Sequence, residues 1–167
     1  ITRTFPVNGQ FTTPQAELYD LVLAAQTEAL NEMRVGKTIK CFHQAALRTL
    51  TQGLIDLKII KGSLEEALET KQYLPYYMHG TGHFLGLDVH DVGAYEEQKE
   101  PITLTAGMVI TCEPGLYVSK RSDAPARYRG TGIRIEDDVL ITAKGPEVLT
   151  GLVPKERDQI EALMRGA

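Results

Sequence analysis

The sequence predicts an α+β fold in which helices cover one face of a mainly antiparallel sheet. Apolar residues recur at helical spacing in the first part of the chain, whereas two runs rich in β-branched residues, MVITCEPGLYV and GIRIEDDVLIT, come later. A length of 167 residues suits one ordinary domain, and a hydrophobic content of 43% is typical of a chain with a folded core. We therefore expect one domain, or a piece of one, without internal repeats.

A short strand and a long helix are predicted at the amino-terminal end. Residues Ile1–Phe5 alternate as a half-buried strand does, and the pair Asn8-Gly9 follows as a turn. Thr13, which precedes a proline, is the predicted cap of the first helix, whose apolar residues recur toward Met33. A chain that opens within a strand is expected to have lost residues upstream.

Two more helices are predicted before the histidine-rich segment. The second covers residues 38 to about 61, with Gly53 as a weak point because glycine is a poor helix former. Ser63 and Glu66 form a capping box for a short third helix that ends at Glu69. The first two helices are expected to form a hairpin.

Strands and loops are predicted from Tyr73 onward, until a final helix. The segment YLPYYMHGTGHFLGLDVHDVG carries four glycines and three histidines, which is typical of strand and loop. The two β-branched runs that follow are expected to be a hairpin or neighbouring strands. Pro154 opens the final amphipathic helix, with Ile160, Leu163 and Met164 on one side.

Charge and composition exclude several function classes. Eighteen basic against 22 acidic residues give a net charge of -4, which argues against nucleic acid as a ligand. No apolar run approaches the roughly 20 residues that a membrane span requires. Cys41 and Cys112 form no disulfide framework and have no CxxC spacing, so we expect a cytoplasmic protein.

The densest group of candidate ligands surrounds three of the four histidines. His79, His83 and His90 lie within twelve positions, together with Asp88 and Asp91. The spacing of His79 and His83 would suit a zinc pair on a helix, but the intervening GTG makes a helix a poor interpretation. The alternative is that these histidines hydrogen-bond to backbone around a tight turn. For the group as a whole, a functional site is the favoured hypothesis.

Two carboxylates in strand-like runs are further candidates. Glu113 follows the apolar run MVITC, where a carboxylate is costly unless it is paired or bound to a cation. The alternative is a strand-end residue that escapes to solvent. Glu136 shares one strand face with Arg134 and Asp138. This face is either solvated or part of a site where oxygen and nitrogen atoms bind a metal such as manganese or zinc.

Three segments occur in a specific order, HGTGHFLGLDVHDVG, GMVITCEPGLYV and GTGIRIEDDVLIT, with TRTFPVNGQFT at one end of the chain and PKERDQIEALMRGA at the other. On these segments, the chain resembles the catalytic domain of the aminopeptidase P family of pita-bread metallopeptidases. The resemblance implies part of a pita-bread fold around a dinuclear metal centre, most often with manganese. It also implies removal of an N-terminal residue from peptides with proline in the second position, by a parent protein expected to be a homo-oligomer.

Residue by residue, the resemblance makes His83, Glu113 and Glu136 metal ligands, with Glu136 bridging two ions. Glu113 is also implied to accept and donate a proton for the attacking water. His79 and His90 match histidines on the substrate side.

Arg134 and Tyr117 match supporting residues beside the ligands.

One departure from the family pattern concerns two further aspartate ligands. In the family, the second of these stands immediately before the position of Ile1, so residues 1–167 are expected to be the carboxy-terminal part of a catalytic domain. The upstream half and an amino-terminal domain would be absent, and the isolated piece is expected to be inactive. Prolidase activity on Xaa-Pro dipeptides, or a metal-free binding module of pita-bread fold, are the alternatives.

Overall fold

Helices precede most of the sheet, in the order that the sequence predicts. The structure is a computed structural model, and it describes residues 1–166. Its helices are α1 (Thr13–Glu32), α2 (Ile39–Asp56), α3 (Leu64–Glu69) and α4 (Arg157–Met164). Its strands are β1 (Glu96–Glu97), β2 (Glu100–Pro101), β3 (Val109–Cys112), β4 (Gly115–Val118), β5 (Thr131–Arg134), β6 (Asp137–Thr142) and β7 (Gly145–Val148).

The two β-branched runs form one interrupted antiparallel ribbon. β6 lies between β3 and β7, and β4 pairs with β5. The register places Cys112 opposite Asp137 and Gly115 opposite Arg134. The prediction of neighbouring strands is confirmed, and each run is split into two strands.

The interruption lies at the same level on both sides of the ribbon. Glu113 and Pro114 separate β3 from β4, while Ile135 and Glu136 separate β5 from β6. A hydrogen bond from Ile135 N to Pro114 O, at 3.3 Å, keeps the two sides together. Both candidate carboxylates therefore lie at this break.

α1 and α2 form the predicted hairpin and pack closely against each other. A Cβ atom added to Gly53 would lie 2.2 Å from Leu21 Cδ1, so this glycine allows the close approach rather than weakening the helix. The buried core joins these helices to the sheet. Its largest fully buried side chains include Tyr19, Tyr77, Tyr128, Phe42, Leu50, Leu54, Ile110 and Leu116.

The predicted amino-terminal strand is wrong in extent. A single bridge joins Thr2 to Glu136. Beyond it, the side chain of Thr4 replaces backbone pairing, because its hydroxyl accepts from Arg134 N at 3.1 Å and lies 2.9 Å from Arg134 O. A side chain that occupies the edge of β5 in this way stops the ladder.

Some helix ends also differ from prediction. The cap of α1 is Thr12, not Thr13, and its N–H donates to Gln15 Oε1 at 2.9 Å. α2 ends at Asp56 because Lys58 adopts a φ of 59°, which a helix does not allow. α4 begins at Arg157 rather than Pro154.

On α4, Ile160 is buried while Leu163 is 62% exposed, so its apolar side is only partly used. At α3 the prediction is confirmed, since Ser63 Oγ accepts from Glu66 N at 3.2 Å. No helix within residues 1–166 is both long enough and apolar enough to cross a membrane. Cys41 and Cys112 are free thiols.

A buried ion cluster surrounds Asp137 on the core side of β6. Asp137 is fully buried, and its carboxylate accepts from Arg3 Nη2, Lys155 Nζ and Thr150 Oγ1, each at 2.7 Å. Burial alone would raise the pKa of Asp137, but hydrogen bonds from Lys155, Arg3 and Thr150 outweigh it and hold the pKa below its ordinary value. Arg3 also donates to the carbonyl of Glu136 at 2.7 Å. The cluster therefore anchors the backbone beside a candidate ligand.

We predict that Asp137→Asn lowers the free energy of unfolding by about 3 kcal/mol, because it leaves the partly buried cations of Arg3 and Lys155 without their negative partner. Asp20→Asn is the control. It breaks an exposed pair with Arg157 and should cost about 1 kcal/mol or less. Urea unfolding at neutral pH measures both.

Because the folded-state pKa of Asp137 is lowered, its contribution is present at neutral pH and is lost as the pH falls through that pKa. The stability gap between wild type and Asp137→Asn should therefore shrink in acid. Equal losses in the Asp137 and Asp20 variants would contradict the assignment.

Candidate metal centre

Three side chains from distant parts of the chain converge at the break in the ribbon. His83, Glu113 and Glu136 each offer one ligand atom, and these atoms lie within 4.8 Å of one another. His83 Nε2 is 3.2 Å from Glu113 Oε1. At such separations the three atoms can ligate a common cation after small side-chain adjustments.

Backbone pairing with β3 places His83 beside Glu113. Thr111 N donates to His83 O at 2.9 Å, and Glu113 N donates to Thr81 O at 2.7 Å. His83 N donates in turn to Thr111 Oγ1 at 3.0 Å. The glycine-rich segment thus runs along β3 as an irregular extra strand.

Gly82 is what allows this close approach. A Cβ atom added to it would lie 2.0 Å from Thr111 O, closer than any side-chain carbon can stand. By contrast, the nearest atom to a Cβ on Gly80 is Gly82 O at 3.9 Å. The sequence predicts strand and loop for this histidine-rich segment, and the close approach to Thr111 O explains why residue 82 is a glycine.

The imidazole of His83 is oriented for ligation through Nε2. Its Nδ1 lies 2.9 Å from Phe84 O. A carbonyl can only accept, so Nδ1 donates to Phe84 O and Nε2 is the ring nitrogen left to ligate a cation. A hydrogen bond on the far ring nitrogen is the usual way in which proteins orient a histidine ligand.

Glu113 and Glu136 are largely buried rather than solvated. Their side chains are 15% and 12% exposed, so neither the escape to solvent nor the solvated face is observed. Thr111 Oγ1 donates to Glu113 Oε1 at 3.2 Å, and Thr2 Oγ1 donates to Glu136 Oε2. These bonds orient the carboxylates and leave their negative charge to be balanced.

The donor set fits a divalent cation. One imidazole nitrogen and two carboxylates are ligands suited to manganese, iron or zinc. Next to them, Asp138 Oδ1 is buried without a hydrogen-bond partner among residues 1–166. The amino group of Ile1 lies 3.7 Å from both Asp138 Oδ1 and Glu136 Oε2. Ile1 therefore lies directly beside these carboxylates.

His90 reaches the site through a tight loop. Asp91 N donates to Phe84 O at 3.0 Å, which closes the loop and stacks His90 edge-on against His83, with ring centroids 4.3 Å apart. Asp88 and Asp91 do not belong to the ligand group that the described residues form. Of the predicted histidine and aspartate group, only His83 belongs to the ligand group, and the carboxylates of that group are Glu113 and Glu136 from the ribbon.

His79, Tyr117 and Arg134 form a second polar group beside the ligands. His79 Nε2 lies 2.8 Å from the Tyr117 hydroxyl, and its Nδ1 lies 2.7 Å from Gly80 O. Burial raises the pKa of Tyr117, and the neighbouring Arg134 guanidinium counters part of the rise. Tyr117 therefore keeps its proton at neutral pH and can hold His79 in place.

Sequence reasoning missed a third group behind these residues. His43 Nδ1 lies 2.8 Å from Thr81 Oγ1, which lies 2.6 Å from the Tyr77 hydroxyl. Burial, with a smaller effect of His79, lowers the pKa of His43, so its imidazole is neutral at neutral pH. The one available signal was a threonine between two glycines in the histidine-rich segment.

Comparison with known proteins establishes the family. A model of metallopeptidase family M24 matches residues 1–143. The chain belongs to this family. Because M24 enzymes are metallopeptidases, the convergence of His83, Glu113 and Glu136 agrees with use of a divalent metal.

Relatives in family M24 cover nearly all of this chain. It is 52% identical to the Xaa-Pro aminopeptidase of Haemophilus influenzae over 98% of its length, and 48% identical to that of Escherichia coli over 100%. It spans 38% of the length of each of these relatives.

Solved structures of the same family share the fold. Aminopeptidase PepP of Pseudomonas aeruginosa superposes with a TM-score of 0.98 at 44% identity, covering 99% of this chain and 38% of that one. Zinc-substituted aminopeptidase P of Escherichia coli in complex with product gives 0.95 at 48% identity, covering 99% and 38%. The predicted α+β class, as part of a pita-bread fold, is confirmed.

We predict that Gly82→Ala forces the histidine segment away from β3 and costs roughly 1 to 3 kcal/mol of stability, the usual range for overpacking. Gly80→Ala is the matched control, because the space around Gly80 accepts a methyl group. Thermal unfolding and divalent-metal titration of both variants provide the measurement. Equal thermal stability and equal metal binding of the two alanine variants would contradict the assignment of Gly82 as the residue that allows the segment to approach β3.

Proposed function

We propose that the longer protein carrying this chain is a metal-dependent aminopeptidase that removes the residue preceding proline at the N-terminus of peptides. The observation that carries the proposal is the meeting of His83, Glu113 and Glu136 in a chain whose relatives are named Xaa-Pro aminopeptidases. We further propose manganese as the metal, the cytoplasm as the compartment, and a homo-oligomer as the working form.

Residues 1–167 are proposed to be the carboxy-terminal part of the catalytic domain. The chain spans 38% of its bacterial relatives, which leaves room for the rest of that domain and for an amino-terminal one. The position of the Ile1 amino group, 3.7 Å from Glu136 Oε2, supports an aspartate ligand immediately upstream. A dinuclear centre would then draw its remaining carboxylates from the preceding segment.

The proposed ligands hold the metal, and their neighbours hold the peptide. When bound, divalent cations lower the pKa of a water molecule and polarise the scissile carbonyl. Glu113 accepts the proton of the attacking water and passes it to the departing nitrogen of proline. Its carboxylate is suited to this because Thr111 donates to Oε1 and the second oxygen remains available.

The substrate side is assigned to the two flanking histidines. His90 stands against the His83 ring, and His79 is held by Tyr117. His90 is assigned to donate to the peptide carbonyl as negative charge develops on its oxygen. Both ring nitrogens of His79 are already engaged, by Gly80 O and by Tyr117, so His79 is assigned to contact the bound peptide. Arg134 supports Tyr117 and hydrogen-bonds to Thr2 Oγ1 at 3.4 Å, so we assign it a positioning role.

We predict that the full-length protein hydrolyses an Xaa-Pro-Xaa tripeptide in the presence of Mn²⁺, and that Xaa-Pro dipeptides are cleaved more slowly. The isolated 167-residue chain should show no activity, because one histidine and two carboxylates hold a pair of cations weakly. Amino-acid release measures each reaction. Faster cleavage of dipeptides would favour prolidase activity, and metal-free full-length protein without turnover would favour a binding module.

We predict that Glu113→Gln abolishes turnover, with a loss of at least about 100-fold in kcat, because the amide cannot accept the proton. His90→Ala should also lower kcat but retain bound metal, since His90 is assigned to the substrate side. Kinetics and metal content of both purified variants provide the measurement. Equal metal loss in the two variants would contradict the separation of ligand and substrate roles.

A further inference from the structure

A hydrogen-bonded chain of three side chains supports the turn between His79 and His83. It runs from His43 on α2 through Thr81 to Tyr77, with successive distances of 2.8 and 2.6 Å. Thr81 and Tyr77 are each only 1% exposed. Buried hydroxyls are costly without partners, so each member of the chain depends on the next.

Both hydrogen bonds of this chain can form whichever of the two atoms in each bond is the donor. A neutral imidazole presents a donor or an acceptor at Nδ1, and each hydroxyl can both donate and accept. His43 remains neutral because burial lowers its pKa. Replacing the central hydroxyl, that of Thr81, by a methyl group would therefore leave both His43 Nδ1 and the Tyr77 hydroxyl without this partner.

Thr81 links this chain to both sides of the proposed centre. Its bond to Tyr77 closes a five-residue loop that contains His79, whose ring packs edge-on against the Tyr77 ring at a centroid distance of 5.0 Å. Its backbone carbonyl accepts from Glu113 N at 2.7 Å. A shift of Thr81 would therefore displace Glu113 and His79 together.

We propose that His43 and Thr81 are positioning residues for this centre, which hold Glu113 and His79 in register across the ribbon. The inference rests on the proposed function only for the identity of the reaction. Its structural part concerns metal binding by the chain's own ligands and is measured without substrate.

The test uses the full-length protein and paired substitutions. Thr81→Val removes the hydroxyl at nearly the same shape, while Thr81→Ser keeps it. His43→Leu removes the ring nitrogen, and a cavity of about 400 Å³ beside His43 gives leucine room. His43→Asn places an amide where Nδ1 stood. Thr49→Val on the same helix removes a hydroxyl that bonds only Ala45 O among residues 1–166, and serves as the control.

Three quantities are measured for each variant: Mn²⁺ affinity of the metal-stripped protein by calorimetry, kcat on an Xaa-Pro-Xaa peptide, and the thermal midpoint in chelator. Thr81→Val and His43→Leu should weaken Mn²⁺ binding about tenfold, the size of effect that groups supporting metal ligands produce. Thr81→Ser and His43→Asn should lie within about threefold of wild type, because each retains the hydrogen bond.

The double variant Thr81→Val/His43→Leu should bind Mn²⁺ no more weakly than Thr81→Val alone, since Thr81→Val already removes the bond to His43 that His43→Leu removes. A fall in thermal midpoint with unchanged Mn²⁺ affinity, or equal effects of Thr81→Val and Thr81→Ser, would overturn the proposal. If the variants bind Mn²⁺ more weakly than wild type, but wild type itself has no peptidase activity, the positioning role is upheld and the proposed reaction is refuted. A wild-type protein that binds no Mn²⁺ would refute both.

Discussion

Negative charge concentrated on one strand is the constraint on which the rest of the structure depends. Residues 136 to 138 are all acidic, and the pleat sends them to opposite faces. On the core side, Arg3 and Lys155 neutralise Asp137 completely within the protein. On the other side Glu136 meets Glu113, and the described residues bring no Lys or Arg into salt-bridge distance of either carboxylate. The fold thus balances the charge of Asp137 internally, whereas Glu113 and Glu136 are left for the proposed cation.

Hydroxyl groups supply the precision of the site. The hydroxyl of Thr2 donates to Glu136, and the hydroxyl of Thr111 donates to Glu113. Thr81 holds the backbone of Glu113 through its carbonyl, while its own hydroxyl bonds His43 and Tyr77. A hydroxyl can orient a carboxylate without cancelling its charge, which a lysine or arginine in the same place would do. This explains how two carboxylates are held rigidly and still remain available for metal.

Local patterns predict the elements, and the family resemblance predicts the ligands, but neither predicts which residues pair across the chain. The helices α1 and α2 followed from apolar periodicity, and Glu113 and Glu136 stood out as charges in β-branched runs. His43 was not singled out because its partner Thr81 is 38 positions away. The strand predicted at the amino-terminal end shrank to one bridge because a side chain, Thr4, took the place of the backbone.

The long-range contacts of Arg3 bear on the order in which parts of this chain fold. Its guanidinium bonds to the carbonyls of Val153 and Pro154, 150 and 151 positions away, while its backbone neighbour Thr2 bonds to Glu136. Contacts of such separation close late, since the loop between them must first lose its freedom. On a ribosome, α1 and α2 can pair while the ligands are still apart. We therefore expect the proposed metal site to be completed only after the chain has been made as far as Glu136, and to be anchored by Arg3 once Val153 and Pro154 have followed.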